Sequence, residues 1–420
     1  MGHRRHRRRT FAAWLGLVAI ASALTIGATV RAQPGRTANN PIAELDRRIG
    51  RGEATLEYTE GAGYLPSLLA GLGVRADSQV LVFSKTSFQQ SLINPANPRA
   101  IYFNDTVSVG TVPGGEVYEL TALDPDDGIA FYSLPIERTE RPRFQRRGVE
   151  CLFCHSPGNK GAPALVVASV SPGADGTPAY TGTFIGTIDH RTPLSDRWGG
   201  WYVTGTSGSQ AHMGNAYAPD PGRPFDLQPI GPQHPGALPN AVDRSKYLAL
   251  SSDIVALMTL EHQVGATNRI NALSVQYRRT ERAGLIGDAE WKHLDAEIDD
   301  LVGYLLFVDE APLRDRVTGS STFARTFAAR GPRDRLGRSL RDFDLVTRTF
   351  RYPLSFMVYS DQFDAMPSPV RTRVYQRLHD VLTGADTSPK YAALSAGDRE
   401  AVLEILADTK ARLAEYWPQP

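Results

Sequence analysis

The chain has two cysteines in 420 residues, and both fall in one pentapeptide, Cys151-Leu152-Phe153-Cys154-His155. Two thiols three positions apart, followed at once by an imidazole, suit one chemistry closely. Each thiol adds to one vinyl group of a porphyrin, and the adjacent imidazole binds the iron from below. Two cysteines placed at random would fall three apart about one time in 200, so the spacing carries information. Three other chemistries use the same residue types. A thioredoxin-like dithiol wants a strand before the pair and a helix after it, whereas Arg146-Arg147-Gly148 and Ser156-Pro157-Gly158 suit a loop. A zinc site needs two further Cys or His ligands at short spacing, and the nearest downstream histidine is His190. A disulfide across three residues closes too small a loop to stabilise much. The pentapeptide therefore reads first as an attachment site for one haem c, with Cys151 and Cys154 as thioether donors and His155 as proximal iron ligand.

At these five residues the chain resembles the c-type cytochromes. The resemblance implies one-electron transfer to a partner protein, with the second axial ligand deciding the chemistry. Met or His there gives a closed carrier, and an open position gives an enzyme or sensor that reduces peroxide or binds a small ligand. His212-Met213 is the first candidate, because Met213 lies 58 residues beyond His155, a spacing similar to that of the distal methionine in cytochromes c. His262 is a weaker one. It shares a helix face with Ile254 and Met258, where a histidine is equally a hydrogen-bonded core residue. His190, His234, His293 and His379 have no supporting context. A looser likeness extends over residues 83–115, 252–268 and 337–344. It is to secreted bacterial proteins that contain a cytochrome c domain and have no defined role.

The amino terminus reads as an export signal. Arg4, Arg5, Arg7, Arg8 and Arg9 precede an uncharged stretch over 11–30, and small or modest residues at 30–32 suit cleavage. The stretch is also long enough to serve as an uncleaved anchor. Arg8-Arg9-Thr10-Phe11 resembles a twin-arginine signal, but covalent haem attachment implies an unfolded, reduced chain delivered by the general secretory route. The expected location is the periplasm or the outer face of the cytoplasmic membrane, with membrane contact only if the anchor is retained. The formal charge of +1 includes six arginines in the first 32 residues. Without them 40 basic side chains face 45 acidic ones, a net of −5, which gives nucleic-acid binding no electrostatic support.

The remaining residues must position this chemistry. The expected class is α+β, with a β-rich, haem-bearing amino-terminal half over 33–242 and a helical half over 243–420. Short apolar or alternating runs at 79–84, 100–105, 107–112, 116–121 and 128–134, separated by Gly, Pro, Asn and Asp, predict an antiparallel meander. Residues 164–169, 181–187 and 198–204 are strand-like too. Helices are expected from a cap at Ser252 or Asp253 to about 282, over 289–307, after Ser368-Pro369, and from Ser395 towards Tyr416. Residues 218–240, rich in Pro and Gly, read as a linker or surface loop. Asp124-Pro125-Asp126-Asp127-Gly128 reads as a turn rather than a calcium loop, since its glycine falls one place early and Pro135 takes the terminal acidic position. Trp198, Trp201 and Tyr202 read as core or as the edge of a cleft. Ser84-Lys85 lacks the surroundings of a Ser/Lys nucleophile. A simple mono-haem carrier needs roughly 100 residues, so the haem sits in an elaborated fold or a second function is attached.

Overall fold

Alternating β-branched and aromatic residues with tight turns give six consecutive antiparallel strands. They are β1 (Val80–Val82), β2 (Arg99–Phe103), β3 (Val107–Thr111), β4 (Val117–Asp124), β5 (Gly128–Pro135) and β6 (Gln145–Arg147). In this computed structural model, which describes residues 38–156, 162–178, 186–217 and 236–417, each strand pairs with the next. Two short strands, β7 (Ala168–Ser169) and β8 (Gly186–Thr187), pair with each other. The chain then returns as β9 (Trp201–Tyr202), which pairs antiparallel with β1 and completes a seven-stranded sheet. A last two-stranded sheet joins β10 (Gly205–Thr206) to β11 (Thr318–Gly319). The amino-terminal stretch of the export reading, most of the 218–240 segment and most of 181–187 lie outside the described residues.

Strand alternation gives the sheet two unlike faces. On the back, Ala100, Tyr102, Val109, Tyr118, Leu120 and Leu134 pack against helices α1 (Pro41–Gly50) and α2 (Leu65–Gly71). Asn40 caps α1 by accepting the Ala43 N–H at 3.1 Å, and Pro41 supplies a preset first turn. On the front, Ser108, Gly110, Glu119, Thr121 and Ser133 are small or polar at the same register. Those short side chains leave space in front of the sheet. The turn at Asp124 joins β4 to β5, and its carboxylate accepts the N–H groups of Asp126 and Asp127 at 3.0 and 3.1 Å.

The pentapeptide is not in a loop. Strand β6 runs up to Gly148, and residues 149–155 form a short helix, α3 (Val149–His155). Gly148 and Ser156 flank that helix at its two ends rather than marking the absence of structure.

The carboxy-terminal half is helical: α4 (Ile254–Arg282), α5 (Asp288–Leu305), α6 (Phe323–Ala328), α7 (Asp361–Asp364), α8 (Ser368–Leu382) and α9 (Ala396–Thr409). Asp253 caps α4 through the N–H groups of Val255 and Ala256. Ser252, the other candidate cap, instead ties the helix start to the sheet edge, accepting the Leu81 N–H at 2.9 Å and donating to the Tyr202 carbonyl at 2.6 Å. Ser368 lies inside α8 and caps nothing. Ser395 caps α9 through the Asp398 N–H, and the helix stops at Thr409, where Lys410 turns extended and donates to the Val358 carbonyl. Residues 39–420 are one compact unit. Val82, Phe103 and Trp201 from the sheet share an apolar cluster with Ile254, Val264 and Leu301 from the helices. The change near Asp243 is thus a change of secondary structure over a common core. The fold is α+β, with a seven-stranded antiparallel sheet in the first half and helices in the second.

Candidate functional site

The front face of the sheet, α3 and the middle of α4 enclose a cleft of about 420 Å³. This falls within the roughly 300–1,000 Å³ usual for cofactor and ligand sites. Ile101 and Phe131 rise from the sheet, Leu260 and Val264 descend one turn apart from α4, and Val167 and Trp201 close the side. Cys151, Cys154 and His155 line one end. The sequence-predicted attachment residues are therefore brought together, on one short helix at the edge of a largely apolar space.

His155 is held by its backbone surroundings. Its Nδ1 lies 2.8 Å from the Ala164 carbonyl. A carbonyl only accepts, so Nδ1 carries the hydrogen and Nε2 keeps its lone pair, the tautomer that a metal requires. The Ala164 N–H donates back to the His155 carbonyl at 2.7 Å. Burial lowers the imidazole pKa against the opposing pull of the Ala164 bond, so the ring is neutral at pH 7. Its ring packs 4.7 Å from Phe131. The segment carrying Ala164 is itself clamped by α4. Asn268 accepts the Leu165 N–H and donates to the Leu165 carbonyl, both at 2.8 Å, and Asn271 donates to the Pro163 carbonyl at 2.8 Å.

Cys151 is half-buried beside the Leu123, Ile129 and Phe131 cluster, and Cys154 is exposed. Burial, with Glu150 adding to it, pushes the Cys151 thiol up to about 11. Reactive dithiols show the opposite, a depressed pKa from nearby positive charge or a helix terminus. Among the described residues no three His, Cys, Asp or Glu side chains gather to hold a metal ion.

Part of the cleft lining is polar. Arg99 pairs with Glu119 at 2.6 Å across the place where Gly110 has no side chain. A glycine inside a strand marks a close approach of this kind. The Arg99 Nε and the Ser87 Oγ are both buried with no hydrogen-bond partner among the described residues. Arg147 donates to the Ser133 Oγ at 2.8 Å. An amphiphilic ring with an apolar body and anionic substituents fits this lining. Cys151, Cys154 and His155 would hold it.

The other candidates lie elsewhere. His212 and Met213 are buried and do not line the cleft. His212 accepts the Gly214 N–H at Nδ1 and packs against Trp198, and the Met213 N–H donates to the Arg197 carbonyl. Their spacing from His155 does not bring them to it. His262 is fully buried on the far side of α4 from Leu260 and Val264, because residues two apart on a helix point about 200° apart. It bonds Ser355 Oγ at 2.7 Å through Nε2 and His190 Nδ1 at 2.9 Å through Nδ1, so both its nitrogens are occupied. Trp201 lines the cleft, whereas Trp198 is core and donates to Glu261 at 3.1 Å. Lys85 pairs with Asp175 rather than activating Ser84. His293 is exposed near Glu297, His379 packs on Trp417, and His234 lies outside the described residues. Sequence reasoning missed Ala164, Asn268, Asn271, Arg99 and Ser87. Gly110 was the one legible signal, as a glycine within a strand.

Comparison with protein-family models, with curated proteins and with solved structures gives no match to this chain.

Proposed function

We propose that the chain is an exported c-type haem protein that transfers single electrons. One haem would be bound through thioethers at Cys151 and Cys154, with His155 as axial ligand. The observation that carries this reading is the hydrogen bond from His155 Nδ1 to the Ala164 carbonyl at the mouth of the cleft. That bond fixes the tautomer and aims a neutral imidazole, as metal-binding histidines require. When bound, the haem supplies a one-electron couple. The protein side chains do the rest. Ile101, Phe131, Leu260 and Val264 exclude water, which raises the cost of net charge in the cleft. Cys154 and Val149, both exposed, keep the tethered edge at the surface, where a redox partner can approach. Export to the periplasm or its membrane face is part of the same proposal, because the attachment chemistry belongs outside the cytoplasm. Among the described residues no helix is long and apolar enough to cross a membrane.

One observation favours a second reading, a haem enzyme or sensor with an open sixth position. Among the described residues lining the cleft, His155 is the sole His and there is no Met, while His212, Met213 and His262 are packed away from it. Absorption spectra of the oxidised and reduced protein, with and without cyanide or carbon monoxide, separate the two. A closed carrier keeps its low-spin spectrum. An open site is high-spin and shifts on adding either ligand.

A further inference from the structure

A second cavity, of about 390 Å³, shares no lining residue with the cleft. It is walled by β11 and the two residues before it, by the start of α6 and by the loop over 343–345. Val317, Phe343 and Leu345 give it an apolar side, and Arg316, Thr318, Arg325 and Asp344 give it a polar one. Leu345 sits there with φ at +57°, a left-handed backbone that leucine rarely adopts, and its carbonyl accepts the Val317 N–H at 2.8 Å. The arginines are the unusual part. In the same half of the chain Arg330, Arg333, Arg338, Arg341 and Arg348 each meet a carboxylate. Arg316 and Arg325 are exposed, and among the described residues neither guanidinium has a hydrogen-bond or ion-pair partner. The neighbouring carboxylates are committed to other donors. Asp315 accepts the Ser209 and Arg316 N–H groups at 2.8 and 2.7 Å. Asp253 accepts the Ser321 N–H and Oγ, both at 2.7 Å, and Asp344 Oδ1 accepts the Val346 and Thr347 N–H groups at 2.7 and 2.6 Å. The Thr322 hydroxyl is likewise spent on Asp77 at 2.7 Å. Two positive charges against the single Asp344 leave the lining cationic.

We infer that this cavity binds a small organic carboxylate, with Arg316 and Arg325 holding the carboxylate and Val317, Phe343 and Leu345 covering an apolar body. A guanidinium presents its N–H donors in a planar fork that matches two carboxylate oxygens. Charge alone is a weak attraction at an exposed site, because water screens it. The apolar side supplies the rest, since a ligand with an apolar body removes that surface from water and a bare oxyanion does not. The volume falls within the roughly 300–1,000 Å³ usual for small-molecule sites. The inference does not rest on the haem reading.

The test uses the full chain at pH 7 with benzoate as the probe, and with benzyl alcohol and inorganic phosphate for comparison. Calorimetry gives the dissociation constants, and amide hydrogen exchange gives the location. Benzoate should slow exchange over 316–325 and 343–345. Arg316→Gln and Arg325→Gln should each weaken benzoate binding tenfold or more. Both side chains are exposed and unpaired, so the urea midpoint should not move with either change. Leu345→Asn suits the left-handed backbone and removes the apolar wall, so it should weaken benzoate at least threefold. Benzyl alcohol keeps the ring without the charge, and phosphate keeps the charge without the ring; each should bind at least tenfold more weakly than benzoate. Phosphate that binds as tightly as benzoate, with no dependence on Leu345, overturns the inference in favour of a bare oxyanion site. Benzoate that does not bind, that slows exchange only around the cleft, or whose affinity depends on neither arginine overturns it outright.

Discussion

The Asn268 clamp offers a quantitative test of how the site is held. Asn268→Ala removes both hydrogen bonds to Leu165, the residue after the carbonyl that pins His155. Each bond contributes about 0.5–1.5 kcal/mol net, and a backbone group left unpaired and dry costs about 1–3 kcal/mol. The clamp is only half-buried, so water relieves part of the second cost. A loss of about 2–3 kcal/mol is expected in urea unfolding at pH 7. Asn268→Asp should do no better, because it keeps the acceptor for the Leu165 N–H but sets a carboxylate oxygen against the Leu165 carbonyl. The clamp has a second consequence at the metal. With Ala164 free to drift, Nδ1 loses its acceptor and the imidazole becomes a weaker donor, so the iron–histidine stretching band of the reduced protein should move to lower frequency. A loss below about 0.5 kcal/mol together with an unmoved band would show that the 163–165 segment is held by other contacts, and the positioning argument would fail.

Two further outcomes follow from the same packing. Met213→Ala should destabilise the protein by about 2–5 kcal/mol, as buried Met truncations do, and leave the haem spectrum unchanged; a new absorption band or new ligand affinity would put Met213 at the iron after all. Burial lowers His212 to about 4 and His262 to about 3, and His190 well below the usual value. Each then binds fewer protons folded than unfolded, so the stability it contributes is present above pH 6.5 and is lost as pH falls. Between pH 7.5 and 5.5 this amounts to about 1.4 kcal/mol for each of His212 and His262, and His190 acts in the same direction. Urea midpoints measured across that window should fall with pH, and a flat profile would mean that these rings are hydrated or charged in the folded state.

The sheet was legible because its signal is local. Alternation and turn residues placed β1 to β5 within a few residues of where they fold. The caps at Asp253 and Ser395 set α4 and α9 in the same way, through a side chain two or three residues from the N–H that it satisfies. The pentapeptide was legible because two thiols and an imidazole fall within five residues. What surrounds it was not. Asn268 and Leu165 are 103 positions apart, and nothing in either segment's own pattern announces the pairing. Arg99 and Ser87 look like ordinary strand and loop residues until the sheet and α4 close over them. His212-Met213 lies outside the cleft lining for the converse reason: spacing along the chain says little about distance in space when a sheet edge and a two-stranded ribbon intervene. The α3 helix was missed because seven residues between a glycine and a Ser-Pro carry too little periodicity to distinguish a helix from a loop.

The central claim is that haem is covalently held at Cys151 and Cys154, and intact-protein mass spectrometry after extraction with acidified organic solvent tests it most directly. The account predicts a polypeptide that starts near Gln33, keeps one haem through the extraction, and offers neither cysteine to a thiol-alkylating reagent. The Cys154→Ala variant should retain at most one thioether and lose most of its stable haem. A wild-type chain whose haem passes into the organic phase, or whose two thiols both alkylate, would contradict the account.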